Sequence, residues 1–351
     1  MKNLVVCLDG TNNVFGRDLT NVIRLYQRLN EHETLAYYDP GVGTFSAQAA
    51  LTTLSKKITR LMGLAFGYGL KHNLSEAYRF LMDNYVEGDH IFVFGFSRGA
   101  YTARALAGWL HKCGLLRAQL PNLIDYSYDL YRKEHRSEII SGFLESFARP
   151  CQTHFLGLWD TVSTVGWIWS PQTLPFTQQN PSVRYVRHAV ALDERRAFFR
   201  SNLWRPVPGQ NVQEVWFPGV HSDIGGGYPV AESTLAQTAL AWMLEQAQLA
   251  GLRLVPDATT QGVPVDLLAR SNIDLASIAP MHESLTKLWW PAEFFPKIVR
   301  HPRYGYRRSI RFNLGRRRFI PEGAILHSSV SDRMRNLESY RPTNLPSSIS
   351  S

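Results

Sequence analysis

Five short apolar runs punctuate the chain, and each stops at a polar or glycine-rich turn. Residues 4–8 end at Asp9-Gly10-Thr11-Asn12-Asn13, residues 34–38 at Asp39-Pro40-Gly41, and residues 90–95 just before Ser97. Residues 153–159 end at Asp160, and residues 212–217 at Pro218-Gly219-Val220-His221. Continuous apolar runs of this length predict strands buried on both faces of a parallel sheet. Between them the period lengthens. Residues 20–29 place Val22, Ile23, Tyr26 and Leu29 at helical spacing, and residues 58–85 place Leu74, Ala77, Tyr78 and Leu81 on one face. Residues 98–110, 123–147 and 233–250 read as further helices. So does 182–199, centred on Ala189-Val190-Ala191-Leu192, which makes His188 a structural residue in mid-helix. The span 164–181, with Trp167, Trp169 and three prolines, reads as an irregular insertion, and 344–351 as a frayed tail.

Strands alternating with helices predict an α/β fold with a mainly parallel, doubly wound sheet. Ligand sites in such sheets lie beyond the carboxyl ends of the strands. Asp9, Ser97, Asp160 and His221 all fall at those ends. Residues 1–290 are expected to form one hydrolase-like catalytic domain. Residues 291–351 are expected to form a basic C-terminal segment packed on it.

Gly95-Phe96-Ser97-Arg98-Gly99 is a G-x-S-x-G pentapeptide between an apolar strand and an Ala- and Leu-rich helix. That is the setting of a nucleophile elbow, where the serine sits at a strained backbone angle and glycines let strand and helix approach. A serine nucleophile needs a base and an orienting carboxylate, in the chain order Ser, acid, His. Asp160 and His221 stand in that order, with Asp223 and His282 as alternates. The Arg98 N–H and the Gly10 or Thr11 N–H are the expected oxyanion donors. Asp9 is expected to organise its turn. A phosphatase reading of residues 4–11 fails because Cys7 stands where that chemistry needs an aspartate. His221-x-Asp223, with Asp9, Asn12 and Asp39, offers a weaker divalent-metal set, and Gly225-Gly226-Gly227 an anion nest. No metal or other cofactor is expected.

Composition narrows the class. A chain of 351 residues with 44% apolar and 19% charged residues buries a sizeable core. Three cysteines without a C-x-x-C argue against a disulfide scaffold or a zinc ribbon. The opening apolar run is too short for a signal peptide and no run is long enough to span a membrane, so synthesis in the cytoplasm is expected, with a signal-independent machine the route if the chain is exported. The net charge of +9 is concentrated: residues 297–318 hold nine Lys/Arg and no acid, interleaved with Tyr304, Tyr306 and Phe312. That run is either a solvated hairpin or a patch for an anionic membrane surface; nucleic acid is not expected. Residues 166–169 and the Trp289-Trp290 pair are candidates for an apolar lip that admits acyl chains.

Several segments together resemble the α/β-hydrolase domain of type VI secretion phospholipase effectors and their bacterial and fungal relatives. They are Leu8-Asp9-Gly10-Thr11-Asn12-Asn13, Tyr38-Asp39-Pro40-Gly41-Val42-Gly43-Thr44 and the stretch from Phe94 through Ser97 to Arg104. Leu158-Trp159-Asp160-Thr161-Val162, His188 through Asp193-Glu194-Arg195-Arg196, and Pro218 through His221-Ser222-Asp223 to Tyr228 complete the set. The resemblance implies a serine esterase acting on phospholipid acyl esters, with Ser97, Asp160 and His221 as its triad. The alternative class is a non-catalytic lipid- or protein-binding module on the same fold.

Overall fold

The computed structural model describes residues 2–10, 18–41, 55–162, 166–167, 170–171, 174–255, 277–287, 289–294, 297–300 and 308–346. The central sheet has seven strands: β1 (Asn3–Leu8), β2 (Thr34–Asp39), β3 (His90–Phe96), β4 (Thr153–Trp159), β5 (Tyr185–Ala191), β6 (Asn211–Phe217) and β7 (Ile325–Leu326). Their spatial order is β7-β6-β5-β4-β3-β1-β2. Every neighbouring pair is parallel.

Period-two alternation explains why the apolar runs are unbroken. On β1, Leu4, Val6 and Leu8 point into one core and Val5 and Cys7 into the other. The first core is closed by α2 (Ser55–Asn84), through Leu74, Ala77, Tyr78 and Leu81, and by α3 (Arg98–Cys113), through Ala103, Leu106 and Trp109. The second is closed by α1 (Asn21–Tyr26), through Val22 and Leu25, and by α4 (Thr234–Leu249), through Ala239, Leu240 and Met243. Cys7, Cys113 and Cys151 are buried free thiols. Among the described residues no helix is long and apolar enough to cross a membrane.

The expected frayed tail does not begin at Asn344, whose Nδ2 donates to the Leu192 and Arg318 carbonyls at 3.1 Å each, and one predicted element is wrong. Residues 182–199 are not a helix: Tyr185–Ala191 is strand β5, bonded to β4 on one side and β6 on the other. Its period-two pattern is hidden because two of its inward positions are polar. Arg187 points to Gln246 of α4, and His188 points to the opposite face, toward Arg104 of α3. An alanine-rich stretch with interspersed charge looks helical, but the sheet needs a strand to join β4 to β6, and tertiary pairing overrides propensity.

The chain runs from β1 outward to β2, then returns to β3 and proceeds the other way. Strand order therefore reverses beside β1 and β3, the position where open α/β sheets bind ligands. A crevice there is lined by Leu8, Asp9, Asp39, Gly41, Asn73, Arg98, Gly99 and Thr102. Two glycines hold the elbow closed. A Cβ on Gly99 would lie 2.1 Å from the Leu8 carbonyl oxygen, and one on Gly95 would lie 2.5 Å from the Gly99 carbonyl oxygen.

This close approach yields a stability contrast. Gly99→Ala must push α3 off the end of β1 and costs roughly 2–3 kcal/mol. Gly142→Ala, on the exposed helix Ser137–Phe147 with nothing within 4 Å of the new methyl, leaves stability unchanged or raises it by up to about 1 kcal/mol. Urea unfolding of both variants is the check; equal stabilities would contradict the packing described.

Candidate active site

Ser97 sits between β3 and α3 with φ 59° and ψ −119°. A non-glycine residue held at positive φ stores about 1–3 kcal/mol of strain. The turn is pinned by the Ser97 N–H, which donates to the Trp159 carbonyl at 3.0 Å. Asp160, directly after β4, is also at positive φ, 39°, and its N–H donates to the Ala189 carbonyl at 2.8 Å. The third residue, His221, opens a short helical turn (His221–Gly225) after β6.

These three side chains form one continuous chain of hydrogen bonds. The Asp160 Oδ2 lies 2.5 Å from His221 Nδ1, and His221 Nε2 lies 2.8 Å from Ser97 Oγ. A carboxylate only accepts, so Nδ1 carries the proton, and Nε2 accepts from the serine hydroxyl. The imidazole is held between the rings of Phe96, at 4.7 Å, and Phe199, at 4.8 Å. Phe96 fits because residue 225 has no side chain: a Cβ there would lie 1.9 Å from its ring.

Asp160 is completely buried. Burial alone would raise its pKa. The Arg318 charge overrides that, together with hydrogen bonds from His221 and Arg318, and holds the carboxyl well below the usual carboxylate range. Arg318 grips both oxygens, Nη1 to Oδ1 at 2.5 Å and Nη2 to Oδ2 at 2.9 Å, while the Ala191 N–H donates to Oδ1 at 2.9 Å. His188, buried on β5, accepts the N–H of Thr161 on Nε2 at 3.1 Å and donates from Nδ1 to Glu214 at 2.7 Å. It therefore braces the backbone next to Asp160.

The alternates Asp223 and His282 do not join this chain. They bind each other, His282 Nδ1 to Asp223 Oδ1 at 2.7 Å, and His282 Nε2 reaches Glu232 at 3.1 Å. Asp223 Oδ2 also accepts the Val220 N–H at 3.0 Å. The pair thus fastens residues 281–285 to the turn that carries His221. Among the described residues the metal set is likewise not assembled: His221 and Asp223 face different partners, and Asp9 accepts from Thr20, Tyr38 and its neighbour Gly10. The glycine triplet is no anion nest, since the Gly226 and Gly227 N–H groups donate to the Ser222 and Leu19 carbonyls.

The Arg98 N–H stands at the N-terminus of α3, next to Ser97. The Gly10 N–H, by contrast, is directed onto Asp9 Oδ1 at 2.7 Å. Thr11 and Asn12 lie outside the described residues, as do residues 168–169 of the expected lip. Trp289 packs edge-on against Phe199 at 5.5 Å, and Trp290 is partly exposed.

The basic run 297–318 is not one solvated face. Arg318 is buried on Asp160, and Arg317 is paired with the buried Asp193. Buried carboxylates demand counter-charge, and this segment supplies it. Arg303 and Arg307 lie outside the described residues. Sequence reasoning also passed over Glu194 as a site residue, although it stands in the quoted Asp-Glu-Arg-Arg motif. Glu194 accepts the His221 backbone N–H at 3.1 Å, both backbone and side chain of Arg196, and the Ser284 hydroxyl at 2.9 Å.

The model of the T6SS phospholipase effector Tle1-like catalytic domain matches residues 2–246. The uncharacterized protein YEL023C of Saccharomyces cerevisiae is 34% identical over 227 residues, which is 59% of this chain and 33% of the yeast protein. The match thus spans about a third of that relative's length. A solved structure of an uncharacterized Pseudomonas aeruginosa protein is 21% identical, with a TM-score of 0.43 over 79% of this chain and 53% of that one. A second, of the Tle1 effector bound to the VgrG spike of the type 6 secretion system, is 20% identical, with a TM-score of 0.37 over 66% of this chain and 52% of that one.

Glu194 makes the acid limb of stability testable. Burial raises its pKa, but the hydrogen bonds and charge of Arg196 outweigh that and bring it from its ordinary 4.5 to about 2. A depressed carboxyl contributes stability that is complete above its ordinary value and lost as pH falls through the folded one. Glu194→Gln is therefore expected to cost about 2–3 kcal/mol at neutral pH, with the gap narrowing on acidification. Urea titrations at pH 7 and near pH 3 measure it; a gap that widens toward acid contradicts the assignment.

Proposed function

Because this chain belongs to the T6SS phospholipase effector Tle1-like catalytic-domain family, we propose that it is a serine hydrolase that cleaves phospholipid acyl esters. The observation that carries this reading is the unbroken contact from Ser97 Oγ through His221 to a buried, charged Asp160. The topological reversal of the sheet sets that contact beside a crevice.

Ser97 Oγ attacks the ester carbonyl carbon while His221 Nε2 takes its proton. The carbonyl electron pair moves onto oxygen, where the Arg98 N–H at the positive end of α3 stabilises it. Collapse of this adduct breaks the bond to the leaving alcohol, which receives the proton from His221. The acyl group is then on Ser97. A water molecule repeats the sequence: it gives a proton to His221, attacks the acyl carbon, and releases the fatty acid as Oγ regains its proton. Asp160 holds the Nδ1–H tautomer and offsets the imidazolium charge in both halves. No step calls for a cofactor.

The substrate is presented at a membrane. Trp290, Phe294, Ile310, Phe312 and Leu314 are exposed apolar side chains, and Arg316, two residues after Leu314, is an exposed cation. Trp290 and Phe294 belong to the segment whose Trp289 touches Phe199 beside His221. An apolar and basic rim suits an anionic lipid surface.

Fluorophosphonate labelling and fatty-acid release from mixed vesicles test the chemistry. The wild type labels and hydrolyses, Ser97→Ala does neither, and His221→Ala loses on the order of 10³-fold or more in rate. Equal labelling of wild type and Ser97→Ala removes the nucleophile assignment. Vesicle binding without labelling or hydrolysis by any form favours the binding-module alternative.

Membrane presentation has its own test. Phe294→Ser combined with Arg316→Glu is expected to weaken binding to anionic vesicles at least fivefold at low salt, leaving turnover of a water-soluble ester unchanged. Undiminished vesicle binding contradicts the rim.

A further inference from the structure

Arg318 lies far from the three site residues in sequence and outside the matched stretch 2–246, yet its guanidinium is joined to both oxygens of Asp160. Both of its Nη atoms bind the carboxylate, one oxygen each. Nη1 also donates to the Ala191 carbonyl at 3.0 Å, and Nε donates to the Phe199 carbonyl at 3.0 Å. The two-pronged grip fixes the rotation of the carboxylate as well as its place, which a single point charge does not. Oδ2 is thereby aimed at His221 Nδ1. The same guanidinium anchors the backbone of Phe199, whose ring borders the imidazole. Arg318 thus sets two of the surfaces that hold His221.

The segment that presents Arg318 is itself built in. Ile320 enters a small core with Val190, Leu192, Trp216 and Val330, and Asn344 Nδ2 donates to the Arg318 carbonyl at 3.1 Å. Neighbouring Arg317 is tied to Asp193. Asp193 in turn accepts the Gly219 N–H at 2.9 Å, in the turn that leads to His221.

We propose that Arg318 is a positioning residue of the hydrolytic site, acting through Asp160 and Phe199 to hold His221 in line with Ser97; the inference rests on the Ser97 hydrolase reading. The residues that close the fold beyond the matched stretch are then part of the working site. Several charged or titratable groups surround the Asp160–His221 pair. His188 and Glu214 stand behind the Thr161 backbone. Glu194, paired with Arg196, accepts the His221 N–H. Asp223, paired with His282, lies on the His221 turn. Arg318 is the cation in direct contact with the Asp160 carboxylate. Its loss leaves a buried anion whose remaining partners are neutral, so the pair takes up a proton at higher pH. Protonated, the pair no longer accepts from Ser97.

The test uses the full chain and a water-soluble ester, with rates expressed per site titrated by fluorophosphonate, so that unfolded protein is not counted. Arg318→Met is expected to lower kcat about 100-fold or more, with KM changed less than threefold. The acid limb of its kcat/KM profile moves up by about one pH unit. Arg318→Lys keeps the charge without the two-pronged grip; it is expected to retain the wild-type acid limb while kcat falls about tenfold. It serves as the decisive variant if Arg318→Met does not fold. Per-site kcat/KM and acid limb unchanged in Arg318→Met, or Arg318→Lys indistinguishable from wild type, overturns the Arg318 assignment. Hydrolysis that survives Ser97→Ala overturns the underlying hydrolase reading, and this one with it.

Discussion

A charged carboxylate with no access to water is the constraint around which this molecule is arranged. Asp160 has zero exposure. An anion in that position is tolerated only if every lone pair is met and a cation lies beside it. Its partners are drawn from three distant parts of the chain: the Ala191 N–H at the end of β5, the His221 imidazole after β6, and the Arg318 guanidinium near the C-terminal end. Parallel strands make this convergence possible, because they deliver their carboxyl ends to one edge of the sheet. The charge of Asp160 is thus a property of the whole right-hand half of the sheet, β4 to β7, and of the segment that wraps it.

Strain is distributed accordingly. Ser97 and Asp160 both hold positive φ, and each is locked by a backbone hydrogen bond to the neighbouring strand. Small residues make the angles attainable: Gly95 and Gly99 let α3 start against the end of β1, and Gly225 leaves room for the Phe96 ring beneath the imidazole. The local cost is covered by the two flanking cores, which are dense in aromatic and β-branched side chains.

Much of this is legible in the sequence, for a definite reason. Apolar runs buried on both faces mark their own ends, and the three side chains that meet in the candidate site, Ser97, Asp160 and His221, sit one to four residues past those ends. The strand Tyr185–Ala191 is not legible, since buried Arg187 and His188 break its apolar pattern and are satisfied by Gln246, Glu214 and Thr161, partners remote in sequence. Arg318 is hidden for a related reason. Within a run of nine cations nothing local marks Arg318 as the partner of a buried carboxylate; only the position of Asp160 does. Glu194 stood within a recognisable motif, but its role depends on the loop it fastens, which periodicity does not reveal.

The central claim, that this chain of hydrogen bonds drives acyl transfer through Ser97, is most directly tested by mass spectrometry of enzyme quenched with acid during turnover of a phospholipid. The account expects a fatty-acyl increment, with loss of water, on the peptide that contains Ser97, absent before substrate is added and disappearing as substrate is exhausted. An acyl increment that maps to another residue, or rapid turnover in which Ser97 is never modified while the Ser97→Ala protein still releases fatty acid, would contradict it.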